Sequence, residues 1–187
     1  MIHVCNILNK NDTYLYLNLY KNYFAYINDM ISNKCQNILQ VAYNEALKSP
    51  CLHKHGCVAS INGKIISRGF NNYGTCNTDK FCSYHGSCHA EIHALRDIWL
   101  RYKHLNINKQ NKIFKKITIY VVRITSNGLM NSAPCIDCMK KLKELKVKNI
   151  IYSNSYGGYT LCKTIDYYSN KPTVARYLIK KENKKEN

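Results

Sequence analysis

Two short stretches hold residues whose types and spacing can do chemistry together. In "SCHAEIHAL" (87–95), His89 stands two places before Glu91; in "SAPCIDC" (132–138), Cys135 and Cys138 are three apart, directly after a proline. Each half alone is a modest signal. A His-x-Glu pair arises by chance on surface helices, and a C-x-x-C pair serves metal and redox sites alike. The combination is more specific, because zinc takes nitrogen and sulfur ligands and a catalytic zinc keeps three protein ligands plus an open position for water. His89, Cys135 and Cys138 make such a set. Glu91 is left to reach the water rather than the metal.

The elements that must position these residues can be read from periodicity. "PCIDCMKKLKELK" (134–146) is an amphipathic helix with proline at its start, so Cys135 and Cys138 share one face of its first turn. Exposed N–H groups there favour thiolates. "HAEIHALRDIWLRY" (89–102) is a second helix, opened by His89. Two helix N-termini facing each other at a sheet edge would hold one ion between them.

Upstream, "NKCQNILQVAYNEALKSP" (33–50) has helical spacing and stops at Pro50. "GCVASINGKIISRGF" (56–70) is two β-prone runs around Asn62-Gly63, a strong hairpin signal. Residues 71–87 read as a loop, 103–116 as a polar basic connector and 126–133 as another loop. "ITIYVVRIT" (117–125) suits a buried central strand. "VKNIIYSN" (147–154) and "YTLCKTIDYY" (159–168) are strands joined by the short "SYGG", a link that makes them antiparallel. Residues 13–31 are expected to form an amphipathic helix packed on the core, and the tail to fray. The order implies an α/β domain with a mixed sheet. It divides into an N-terminal extension (1–33), a zinc domain (34–168) and a C-terminal segment with a Lys-rich tail (169–187).

These motifs resemble the cytidine and deoxycytidylate deaminase family, whose zinc-binding signature is H-x-E…P-C-x-x-C. "KHGCVASINGKIISRGFNNYG" (54–74) is similar to the family's first hairpin, which ends in Gly-aromatic-Asn, here Gly69, Phe70 and Asn71. The resemblance covers residues 34–168. It implies a three-layer α/β/α sandwich around a mixed five-stranded sheet, with Zn2+ on His89, Cys135 and Cys138. It also implies Glu91 as proton shuttle and Asn71 as a contact to the sugar or base of a small-molecule nucleoside or nucleotide. The expected activity is release of ammonia from cytidine, deoxycytidine or dCMP. Homo-oligomers are common in the family because neighbouring subunits help close the pocket. Ala133 stands where the tRNA-adenosine branch has Glu, the gap between the two motifs is longer than in compact members, and the antiparallel ending resembles the free-nucleoside branch.

Composition bounds the alternatives. The chain has 187 residues and a formal charge of +17, spread over "KQNKIFKK", "MKKLKELKVK" and "KKENKKEN". Such charge leaves nucleic acid open as a partner, either as the substrate of a tRNA-adenosine or polynucleotide-cytidine deaminase or as the ligand of a non-catalytic zinc-stabilised protein. Lysine runs are more often solvated surface, and these lack interleaved aromatic–glycine stacking motifs. No apolar run is long enough to cross a bilayer and no secretory signal opens the chain, so an intracellular, cytoplasmic location is expected. The ten cysteines then read as thiols rather than a disulfide framework. Cys76, Cys82, His85 and Cys88 could together hold a second metal, but their spacing matches no common finger, and loop thiols without a metal are the favoured reading. Cys5, Cys35, Cys51, Cys57 and Cys162 read as small apolar residues, Trp99 as core and His93 as a packed or surface histidine. A redox role for Cys135 and Cys138 would leave His89 and Glu91 without a purpose.

Overall fold

Asn62 and Gly63 both take positive φ, 51° and 73°, the left-handed pair that a two-residue hairpin demands. They join β1 (Lys54–Ile61) to β2 (Lys64–Phe70), and the side chain of Lys34 donates to the Asn62 carbonyl oxygen at 3.0 Å. The computed structural model describes residues 32–74, 81 and 87–169. Within them the chain continues as α1 (Asn33–Leu47) before the hairpin, then α2 (Ala90–Tyr102), α3 (Ile107–Phe114), β3 (Ile117–Thr125), β4 (Gly128–Met130), α4 (Ile136–Glu144), β5 (Asn149–Ser153) and β6 (Tyr159–Lys163).

The main path of the sheet runs β2-β1-β3-β5-β6, with β4 paired to the end of β3. β1 is antiparallel to both β2 and β3, β3 is parallel to β5, and β5 is antiparallel to β6. The one parallel pair is the one connected through a helix, α4, as a crossover requires. The tight β5–β6 turn is tied by Asn154, whose Oδ1 accepts from the backbone N–H of Tyr156 and of Gly158, both at 3.0 Å.

β3 has period two, and its two faces feed two cores. Ile119 and Val121 face a cluster with Ala90, Ile92, Leu95, Ile98, Cys138 and Leu142, which seats α2 and α4. Tyr120, Val122 and Ile124 face Ile38, Leu39, Ala42 and Ala46 of α1. The result is the three-layer sandwich around a mixed sheet, with Trp99 only partly buried against the first core. Close helix approach depends on two glycines of the hairpin. A Cβ at Gly56 would overlap the backbone of Ala42 and Ala46, and one at Gly69 would fall 2.6 Å from the Ala94 nitrogen.

Four local expectations change. The basic connector contains α3, capped by Asn106 accepting from the Lys109 N–H at 3.0 Å; the helix is eight residues long, mostly polar and basic, with only Phe114 buried. The 126–133 loop contains β4, a three-residue strand begun by Gly128 at φ 97°. The last strand stops at Lys163 rather than 168, where the Thr164 N–H turns to the Lys148 carbonyl at 3.1 Å. Cys88 is disulfide-bonded, which departs from the expectation of thiols alone. Cys76, Cys82 and His85 lie outside the described residues, as do the helix expected within 13–31, Cys5 and the frayed tail. Among the described residues, no helix is long and apolar enough to cross a membrane.

Candidate metal centre and active site

α2 and α4 both begin over the same face of the sheet, each with a candidate ligand at the cap position. His89 is the N-cap of α2 in extended backbone, and Cys135 is the N-cap of α4, its sulfur accepting from the Cys138 N–H at 3.4 Å. Cys135 therefore stands just before the helix rather than inside its first turn. The Nδ1 of His89 lies 3.2 Å from the Cys138 sulfur and 3.6 Å from the Cys135 sulfur. These three donor atoms all lie within 4.8 Å of one another.

The spacing suits zinc. Tetrahedral bonds of about 2.3 Å to sulfur and about 2.0–2.1 Å to nitrogen place N and S ligands roughly 3.6 Å apart. Two sulfurs and one nitrogen are a soft, zinc-selective donor set with a fourth position left over. His93, one turn further along α2, points elsewhere. Its ring packs edge-on against Phe70, and its Nδ1 is 3.0 Å from the Phe70 carbonyl oxygen.

Electrostatics tie the group together. The Cys135 thiol is lowered to about 4, chiefly by hydrogen bonding from Cys138, against the opposing effect of burial and with further help from His89. Burial works to lower His89, but hydrogen bonding to Cys135 and the charges of Glu91, Cys135 and Asp137 raise it to about 9. Cys138 is pushed well above the ordinary thiol range, first by sharing its hydrogen bond with Cys135 and then by burial. The three candidate donors thus share protons that a bound cation would displace.

Glu91 lies in the first turn of α2 and is buried. Burial raises its carboxyl, the His89 charge opposes the rise, and a hydrogen bond links it to the Cys138 side chain. Beneath it, burial and the Glu91 charge raise the thiol of Cys57, a buried β1 residue. Glu91 is thus a buried acid whose carboxyl is raised beside three candidate metal donors.

Asn71 sits beyond β2 and clips the start of β1. Its Oδ1 accepts from the His55 N–H at 2.7 Å and its Nδ2 donates to the His53 carbonyl at 2.7 Å. Each group keeps one further hydrogen-bonding position. Asn72 bridges instead to Cys88 through paired backbone bonds of 3.0 and 2.8 Å.

A second fixture was not legible in the sequence. Ser132 and Ser153 are both buried, and they latch the loop before Cys135 onto the ends of β3 and β5. The Ser132 hydroxyl donates to the Val121 carbonyl at 2.7 Å and accepts from the Ser153 N–H at 2.9 Å. The Ser153 hydroxyl donates to the Met130 carbonyl at 2.6 Å and accepts from the Arg123 N–H at 3.1 Å. The only available signal was the unusual placement of serine at the end of an apolar strand.

A mixed sheet with one helix on one face, three on the other and a His/Cys/Cys group at two helix starts is the cytidine deaminase-like architecture. The family model for the cytidine and deoxycytidylate deaminase zinc-binding region matches residues 32–154, and the chain belongs to that family. Among solved structures it is similar to a cytidine deaminase from Burkholderia pseudomallei, at 18% identity and a TM-score of 0.51, over 73% of this chain and 97% of that one. It is also similar to a dCMP deaminase from the cyanophage S-TIM5, at 21% identity and a TM-score of 0.44, over 64% and 82%. No curated protein matches the chain.

Proposed function

We propose that this chain is a zinc-dependent hydrolytic deaminase that releases ammonia from a cytosine-type nucleoside or nucleotide, with His89, Cys135 and Cys138 as the zinc ligands. The observation that carries the reading is the buried Glu91, hydrogen-bonded within the same cluster as the three donors. A structural metal has no use for such an acid.

Zinc, when bound, supplies a water whose pKa falls from about 15.7 to about 7. Glu91 would accept a proton from the attacking water and deliver it to the ring nitrogen beside the amino-bearing carbon. It then carries the water's second proton to the amino group, which leaves as ammonia while the carbonyl forms. The raised carboxyl suits both halves of this shuttle, since a carboxylate of ordinary acidity is a poor proton donor near neutral pH. Asn71, held by the β1 backbone, offers its remaining Oδ1 and Nδ2 positions to the sugar or base. Residues 34–168 form the working domain, flanked by the extension and the Lys-rich tail.

The test is Glu91→Gln. The substitution should leave one zinc per chain and the fold intact while ammonia release from cytidine, deoxycytidine, CMP and dCMP falls by at least about 1,000-fold, the scale of a lost general acid–base. A mutant as active as the parent would overturn the assignment. Including adenosine and short single-stranded oligonucleotides separates the base-editing alternatives.

A further inference from the structure

β1 and β3 pair antiparallel with Cys57 opposite Val121 and His55 opposite Arg123. Directly opposed residues share a face, and residues two apart along a strand share it too. Val121 and Cys57 belong to the core that seats α2 and α4. His55 and Arg123 therefore form the next rung on the metal-bearing face, beyond the residues that lie beneath Glu91. His55 is close enough to His89 for that charge to act on it.

The Arg123 side chain is unusual for a cation in such a place. Its Nη2 donates to His53 Nδ1 at 3.2 Å, and its Nε is buried with no hydrogen-bond partner. No carboxylate among the described residues forms an ion pair with it. A buried N–H without a partner is costly, and a cation with no carboxylate beside it is open to an arriving anion. The surrounding groups are held still. His55 Nδ1 lies 3.0 Å from the His53 carbonyl oxygen, and Asn71 clamps the same two residues through their backbone. Burial, chiefly, pushes His55 down to about 4, so its ring is neutral near pH 7. The Arg123 backbone is tied to the Ser153 hydroxyl, which fixes the root of the side chain.

We propose that Arg123, steadied by His53 and His55, is the residue that selects a nucleoside monophosphate over the free nucleoside by binding its phosphate. This rests on the deaminase reading above and names the substrate class within it. The planar guanidinium offers paired donors that match phosphate oxygens, which a lysine on a flexible stem does not reproduce. The phosphate supplies a counterion at the exposed end of the guanidinium, and that charge pairing gives selectivity for the anionic substrate.

The experiment compares the zinc-loaded full chain with Arg123→Gln and Arg123→Lys. Steady-state kcat/KM is measured for deoxycytidine, dCMP, cytidine, CMP and a short single-stranded oligonucleotide. The parent should favour the monophosphate by about 100-fold, the scale of a charge-assisted bidentate contact. Arg123→Gln should erase that preference by lowering kcat/KM for the monophosphate far more than for the nucleoside, and Arg123→Lys should restore only part. Equal loss on nucleoside and nucleotide, a parent that prefers the nucleoside, or a preference for the oligonucleotide would each overturn the proposal. Calorimetric binding of uridine against UMP to the parent is read in parallel. Matching affinities overturn the phosphate assignment even where the variants fail to fold. An absence of ammonia release from every cytosine substrate, with UMP still bound more tightly than uridine, would sink the deaminase reading and leave the anion site standing.

Discussion

Gly69 offers the sharpest test of how the fold positions the metal centre. A Cβ at this position falls 2.6 Å from the Ala94 nitrogen, 2.8 Å from the Ala90 carbonyl oxygen and 3.0 Å from His93 Cβ. The closest approach is about 0.8 Å short of the 3.4 Å at which ordinary van der Waals contact begins, and the obstacle is helix backbone, which has no rotamer to move away. In Gly69→Ala the first turn of α2 must therefore lift from β2. That turn carries Glu91 and is capped by His89. A metal site tolerates ligand displacements of only about 0.2 Å, and the opposing donors on α4 do not follow α2. The expected outcome is a loss of about 2 kcal/mol in urea unfolding, within the range for overpacked sites, with zinc affinity lowered by at least about tenfold in chelator competition on folded protein. Unchanged zinc affinity at reduced stability would refute the coupling of this glycine to the site. Unchanged values for both would show that the helix is not seated as described.

Three further outcomes are expected. Ser153→Ala removes a hydroxyl that serves the Met130 carbonyl and the Arg123 N–H, and leaving two buried groups unpaired should cost about 2–3 kcal/mol by urea midpoint. Ile98→Ala opens a cavity in the core beneath α2 and should cost about 2–5 kcal/mol in the same measurement. His55 is depressed to about 4 from an ordinary 6.5, so the unfolded chain binds its proton first and stability falls as pH drops from 6.5 through 4. The span is up to about 3 kcal/mol, and His55→Gln should flatten that part of the urea-midpoint profile. The hydrogen bond to the His53 carbonyl raises His55, but burial, with the charges of Arg123, His89 and His53, outweighs it.

Much of this molecule could be read from residue types because its site is built from backbone devices that leave marks in sequence. Asn62-Gly63 announces a turn that needs positive φ at two residues, and the structure has it. Pro134 and the Cys pair mark a helix start, and His89 marks another, so three donor atoms converge from two caps. What escaped was structure held by few or long-range contacts. α3 has one buried anchor, Phe114, and its eight residues are mostly polar and basic, too short a stretch to stand out from a connector. β4 is three residues long and exists only because β3 extends far enough to pair with it. Arg123 shows the limit most clearly. In sequence it is a single charge in "IYVVRIT" and argues only that the strand's end nears the surface. Its meaning comes from register: pairing places it opposite His55, one rung past Cys57, with an N–H that nothing in the described fold accepts. Ser132 and Ser153, 21 positions apart, likewise acquire their role only when β3 and β5 lie side by side. Local chemistry shows in the chain itself, whereas selectivity is set by which residues the sheet brings next to one another.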